Sequence, residues 1–183
     1  MDLPLQHVSD RILAQMGRKV DRAAIERLLW RLRDAMPDMT LRTTFIVGFP
    51  GETESEFEEL LGAVREIRFD HVGAFAYSPE AGTRAAELPD RVAPDVVADR
   101  LERLLAAQTA IVAEKNRALV GRVVEVLIDG ESESPRTSVG RTAAQAPDVD
   151  PVTFVHGRHA PGSFLRAEIT GSVDPDLTAT PVR

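Results

Sequence analysis

Residues 44–57 read TFIVGFPGETESEF, and the reading of this stretch decides the fold. The run Phe45-Ile46-Val47 has the length and β-branched character of a buried strand, and it stops at Gly48-Phe49-Pro50-Gly51-Glu52. A helix start follows at once. Thr53 and Glu56 have the Thr-x-x-Glu spacing of a capping box, and Glu52 and Glu54 stand at the positive end of the helix dipole. A strand that runs through a tight, glycine-padded turn into a helix is the first half of a β–α–β crossover.

Outward from that turn the same alternation repeats. Leu3–His7 is a short strand candidate weakened by Pro4, which cannot donate to a ladder. Ser9 is placed to N-cap a helix over Asp10–Met16, with Gly17 as its C′ residue. A second helix is expected over Arg22–Met36, with Ile25, Leu28, Leu29, Leu32 and Met36 on one face. The central strand spans Met39–Val47. Its helix, Glu54–Ile67, carries Phe57, Leu60, Leu61, Val64 and Ile67 as one stripe. A third strand, His71–Tyr77, ends in Ser78-Pro79-Glu80-Ala81-Gly82. Short connections make the strands parallel with right-handed crossovers. Three such units cannot close a barrel, which leaves a small open α/β sheet or part of a larger one.

Ala93–Leu119 reads as one long helix with Pro94 in its first turn and a stripe of Val97, Leu101, Leu104, Leu105, Gln108, Ile111 and Val112. At about 1.5 Å per residue it would run roughly 40 Å, long enough to leave a first domain and reach a second. After Gly121 the period changes to two. Five strands are expected at Arg122–Ile128, Thr137–Arg141, Val152–His156, Phe164–Thr170 and Leu177–Val182, forming a small antiparallel OB-like barrel. The expected domains are therefore 1–92, a linking helix over 93–120, and 121–183.

Composition narrows the chemistry. The 183 residues include no cysteine, so this chain offers no thiolate nucleophile and no ligands for an iron–sulfur cluster. The absence of a long apolar run or a basic-then-apolar start argues against membrane insertion and secretion. A net charge of -7 argues against broad nucleic-acid binding. The turn at Gly48 is no P-loop, because it lacks the Gly-Lys-Ser/Thr ending and places Glu52 where phosphates would sit. Gly48 and Gly51 suit either a plain β-to-α turn or a ligand approaching the carboxyl end of a strand.

Three segments occur in order: Asp2-Leu3-Pro4-Leu5-Gln6-His7, then Arg42-Thr43-Thr44-Phe45-Ile46-Val47-Gly48-Phe49-Pro50-Gly51-Glu52, then Ala76-Tyr77-Ser78-Pro79-Glu80-Ala81-Gly82. With Val139-Gly140-Arg141-Thr142-Ala143-Ala144-Gln145-Ala146-Pro147 they make the chain resemble the second half of the radical S-adenosylmethionine methylthiotransferases, TRAM domain included. The resemblance covers essentially the whole chain. It is closer to the RimO branch, which modifies an aspartate of a small-subunit ribosomal protein, than to the tRNA-modifying MiaB branch.

That resemblance implies half of a radical-SAM partial barrel, with Gln6 and His7 ending a fourth strand, Gly48, Phe49 and Gly51 closing a fifth, and Tyr77 and Ser78 ending a sixth. Those residues would lie beside the cofactor, and Arg42 could fork onto its carboxylate or pair with an acidic neighbour. His7 reads as structural, and Tyr77 equally as a half-buried strand aromatic. The family uses S-adenosylmethionine and two 4Fe-4S clusters held by cysteines. Here those cysteines would lie upstream of Met1, so the chain reads as a C-terminal portion unable to do the chemistry alone.

The implied setting is cytoplasmic. Six arginines against nine carboxylates after residue 120 make the second domain acidic, which suits a basic ribosomal protein better than RNA. Its only aromatics, Phe154 and Phe164, are placed to face the core. The alternatives are a tRNA methylthiotransferase portion and a non-catalytic, TRAM-bearing binding module.

Overall fold

The computed structural model describes residues 1–173 and 175–182. Asp174 and Arg183, both counted in the charge of the second domain, lie outside the described residues. Two compact units separate within one long helix, the first ending at Ile111 and the second beginning at Val112.

In the first unit, α1 (Asp10–Gln15) is N-capped by Ser9 and α2 (Arg22–Ala35) by Asp21. Strand β1 (Arg42–Val47) leads through the glycine turn into α3 (Glu54–Ile67), and β2 (His71–Ala76) follows. The expected capping box is formed, with the Thr53 and Glu56 side chains each bonded to the other residue's backbone. All five stripe residues of α3 are buried. On α2 the packed face is narrower than expected: Ile25 and Leu29 are buried, whereas Leu28 and Met36 are exposed.

β1 and β2 pair in parallel from Arg42↔His71 to Val47↔Ala76. The segment expected as the Leu3–His7 strand does run along β1, but only as isolated bridges at Asp2↔Arg42 and Gln6↔Phe45. The interruption falls at Pro4. There the Thr43 hydroxyl replaces the missing rung, donating to the Leu3 carbonyl (2.8 Å) and accepting from the Leu5 amide (3.4 Å). Alternation divides the sheet into two faces. Thr43, Phe45 and Val47 are buried, and Phe45, Val47, Val72 and Ala74 belong to the core with α2 and α3. The other face, with Thr44, Ile46 and Phe75, stays partly open, and Phe75 is 59% exposed.

α4 (Pro94–Leu119) is a single helix of 26 residues. No described helix is long and apolar enough to cross a membrane. The second unit is a closed barrel of β3 (Val123–Glu131), β4 (Thr137–Arg141), β5 (Thr153–His156), β6 (Phe164–Val173) and β7 (Asp176–Pro181), in ring order β3-β4-β5-β7-β6. The expected all-antiparallel pairing is corrected at one seam, where β5 and β7 run parallel. Strand directions cannot alternate all the way round a ring with an odd number of strands, so one parallel seam is unavoidable.

Both barrel phenylalanines also differ from expectation. Phe164 is 65% exposed and Phe154 is only half-buried. The interior is filled by Val126, Ile128, Val155, Ala167, Ile169 and Ala179, and an added Cβ on Gly140 would lie 2.4 Å from the Leu127 carbonyl oxygen. A ring this narrow has room for aliphatic side chains but not for a phenyl group.

Candidate functional site

The turn from β1 to α3 lies at the carboxyl end of the strands, where open α/β sheets place their ligands. Gly48 and Gly51 both adopt left-handed backbone, at φ 75° and 78°, which glycine alone reaches without strain. Most of the polar backbone of the turn is used internally. The Gly48 amide donates to Glu52 Oε2 (2.9 Å), the Gly51 amide to the Asp90 carbonyl (2.8 Å), and the Glu52 amide to the Phe49 carbonyl (2.9 Å). From α1, Arg11 Nη2 donates to the Gly51 carbonyl at 2.7 Å. With three of its amides committed in this way, the turn is poorly suited to cradle an anion.

Its lining is aromatic. Phe49 is buried and meets Tyr77 edge to face, with ring centroids 5.3 Å apart. The Tyr77 amide extends the β2 pairing by donating to the Val47 carbonyl (2.8 Å). Its hydroxyl is buried without a hydrogen-bond partner among the described residues. An orphaned hydroxyl beside two rings leaves one polar handle for an aromatic or nucleoside-like ligand.

Behind the wall lies a charged cluster that the sequence reading missed. Glu52, Arg100 and His7 are all buried. Glu52 Oε1 accepts from Arg100 Nη1 at 2.8 Å, and the same Nη1 reaches the Glu52 carbonyl at 3.2 Å. The rest of the guanidinium engages Glu54 Oε2, through Nε at 3.2 Å and Nη2 at 3.0 Å. His7 Nδ1 accepts from the Ser9 amide (2.9 Å), so the imidazole proton sits on Nε2, 3.6 Å from Glu52 Oε2. Glu52, expected from the sequence at the positive end of the helix dipole, instead forms this buried pair. The signal that could have found the cluster is a charged residue, Arg100, inside the apolar stripe Val97–Leu101–Leu104.

The structure brings together Gly48, Phe49, Gly51 and Tyr77, and places Ser78 on the exposed stretch just beyond. Gln6 lies beside Phe45 in left-handed backbone at φ 71°, donating to the Thr44 carbonyl and accepting from the Ile46 amide. Arg42 is not brought to the turn. It opens β1 opposite Asp2, six residues from Gly48, about 20 Å at the usual rise per strand residue.

S-adenosylmethionine fits this wall in chemical character, through the Phe49–Tyr77 rings and the unpaired Tyr77 hydroxyl. An iron–sulfur cluster does not fit, because the sequence offers no thiolate, and no group of three His, Asp or Glu side chains among the described residues could hold a metal.

Residues 1–64 match the radical SAM superfamily, and residues 120–182 match the TRAM domain. The ribosomal protein uS12 methylthiotransferase RimO of Desulforudis audaxviator is 47% identical over 181 residues, which is 98% of this chain and 40% of that protein. Its counterpart in Syntrophotalea carbinolica is 47% identical over 178 residues, 96% of this chain and 39% of that protein. The chain thus spans about two fifths of the length of the curated relatives it matches. Among solved structures, Escherichia coli coproporphyrinogen III oxidase, a radical SAM enzyme, aligns over 94% of this chain and 41% of its own, with TM-score 0.52 and 14% identity, a likeness of fold alone.

Proposed function

We propose that this chain, a RimO-like radical SAM methylthiotransferase sequence with a TRAM domain, supplies one wall of the cofactor site and a docking barrel for methylthiolation of an aspartate in a basic small-subunit ribosomal protein. The observation that carries the reading is the sequence match to RimO proteins, which covers 98% of this chain and so takes in the turn, the strand end at Tyr77 and the barrel. When bound, S-adenosylmethionine with its cluster supplies the radical chemistry that removes hydrogen from the substrate carbon. This chain's own residues do quieter work. Phe49 and Tyr77 present an apolar edge that excludes water, the Tyr77 hydroxyl offers one hydrogen bond, and Gly51, held by Arg11 and Asp90, keeps the wall in place. Any cysteines that hold the clusters would have to be supplied from outside these 183 residues, which contain none, residues 93–120 link the two domains, and the setting is cytoplasmic.

The exposed ring of Phe164 favours a second reading, in which the barrel stacks an RNA base. The excess of carboxylates over arginines after residue 120 opposes it.

The test is a chimera in which this chain replaces its matching segment of the Desulforudis relative. It is incubated with uS12 and separately with tRNA, and the products are read by mass spectrometry. The reading expects a methylthio group on a uS12 aspartate. A folded, cluster-loaded chimera that modifies tRNA or nothing would overturn it.

A further inference from the structure

We propose that Arg100 and Glu52 form a positioning pair that sets the conformation of the 48–51 turn for its ligand. The inference rests on the cofactor-wall reading above and assigns a role to two residues that touch no ligand themselves. Glu52 uses its two carboxylate oxygens for different tasks: Oε2 holds the Gly48 amide at 2.9 Å, and Oε1 is held by Arg100 Nη1 at 2.8 Å. Arg100 donates from the same nitrogen to the Glu52 carbonyl, so the carboxylate and the backbone that carries it share one anchor. The pair is fully enclosed, with side-chain exposures of 4% for Arg100 and 0% for Glu52.

Two observations argue against a generic ion pair. A carboxylate needed only to neutralise Arg100 is already available on Glu54, half-exposed and bonded to the same guanidinium. Moreover, the anchor is placed where the turn has least tolerance. Val97, one helical turn before Arg100, packs against the bare side of Gly48. The α4 helix therefore touches the turn twice, once by shape at Gly48 and once by charge at Glu52. A guanidinium offers several donors in a fixed fork, which suits one anchor serving three acceptors. The pair thus holds the left-handed Gly48 backbone, and with it Phe49, in the orientation that meets Tyr77.

The test uses this chain, NMR and S-adenosylmethionine as the probe. The variants are Glu52→Met combined with Arg100→Met, which removes both charges so that neither is left buried alone, and Glu52→Gln as a milder change. Arg100→Lys is the conservative control. The double variant is expected to exchange the Gly48 amide at least tenfold faster relative to Leu60 and Val64 in the α3 core. It should also weaken the S-adenosylmethionine-induced shifts of the Phe49 and Tyr77 ring signals at least fivefold in apparent affinity. Glu52→Gln should move both readouts at least threefold, and Arg100→Lys, which keeps the charge but not the fork, should fall between the double variant and the unmodified chain.

A purely structural role would speed exchange at Gly48, Leu60 and Val64 together, and that result overturns the proposal. So does unchanged Gly48 exchange in both Glu52 variants, and if the double variant does not fold, Glu52→Gln decides. Absence of probe-induced shifts in the unmodified chain is what one wall without the cluster allows, and the Gly48 exchange rates then decide the proposal by themselves, while the chimera tests the cofactor-wall reading. Local loosening of Gly48 would then still establish that the pair sets the turn.

Discussion

Val97 occupies the space that a side chain on Gly48 would need: its Cγ2 lies 2.4 Å from where a Cβ would be. The glycine at the head of this turn is thus required by the chain's own helix as well as by its φ of 75°. Gly48→Ala should cost about 1–2 kcal/mol for left-handed backbone and about 1–3 kcal/mol for overpacking. Combining it with Val97→Ala should recover the overpacking part only, so the double mutant should be more stable than the sum of the singles. Urea unfolding midpoints of the four proteins measure this. Strict additivity would show that Val97 does not set the need for glycine.

The start of α3 makes a pH prediction. Burial tends to raise the pKa of the Glu56 carboxyl, but hydrogen bonds from Arg11, from the Thr53 amide and hydroxyl and from Ser9 outweigh it and hold the pKa down to about 2. A carboxyl whose folded pKa is depressed stabilises the fold above its unfolded pKa, near 4.5, and loses that contribution as pH falls toward 2. The ceiling is about 3 kcal/mol at 1.36 kcal/mol per pKa unit. Melting temperatures of the unmodified chain and Glu56→Gln should differ most at neutral pH and converge between about pH 4.5 and 2. A constant gap across that window would sink the assignment.

How far the sequence spoke depended on how local each signal was. The α3 helix was legible in full because its cap, its first-turn carboxylates and its stripe all lie within fifteen residues. The α2 stripe was drawn too wide, since periodicity marks a face but cannot say how much of that face meets a neighbour; Leu28 is 45% exposed. The strand phase in the barrel was misread at Phe154 and Phe164 because alternation gives two faces and only the width of the closed ring decides which one is inside. Among the candidate site residues, Gly48 and Gly51 follow from their place at the carboxyl end of a strand, whereas Phe49 and Tyr77 are implied only by the family resemblance. Arg100 lies 48 residues from Glu52, and no local pattern joins them.

The barrel's outer surface offers a cheap check on that phase error. Phe164→Ala should change stability by less than about 0.5 kcal/mol, as substitutions at exposed sites usually do, whereas Ile169→Ala, fully buried, should cost roughly 2–5 kcal/mol. Thermal unfolding followed through barrel signals would separate the two. Comparable losses would mean that Phe164 is covered in solution.

The irregular first segment gives the last prediction. Residues 1–6 follow β1 as a row of bridges: the Leu3 amide donates to Arg42, the Gln6 amide to Thr44, and Gln6 accepts from Ile46. Pro4 removes a donor in the middle of this row, and the buried Thr43 hydroxyl fills the gap by bonding both neighbours of the proline. Thr43→Val keeps the volume and the β-branch but leaves the Leu3 carbonyl and Leu5 amide without that partner. An unpaired buried polar group costs about 1–3 kcal/mol, and the loss should fall mainly on this segment. Amide exchange at Leu3, Leu5 and Gln6 should therefore quicken by tenfold or more in Thr43→Val, with Val64 unchanged. Thr44→Val, on the open face of the same strand, is the control and should leave all four rates near their original values. If Thr43→Val behaves like that control, the segment is held by its side-chain packing through Leu3 and Leu5, and the hydroxyl bridge contributes nothing to its order.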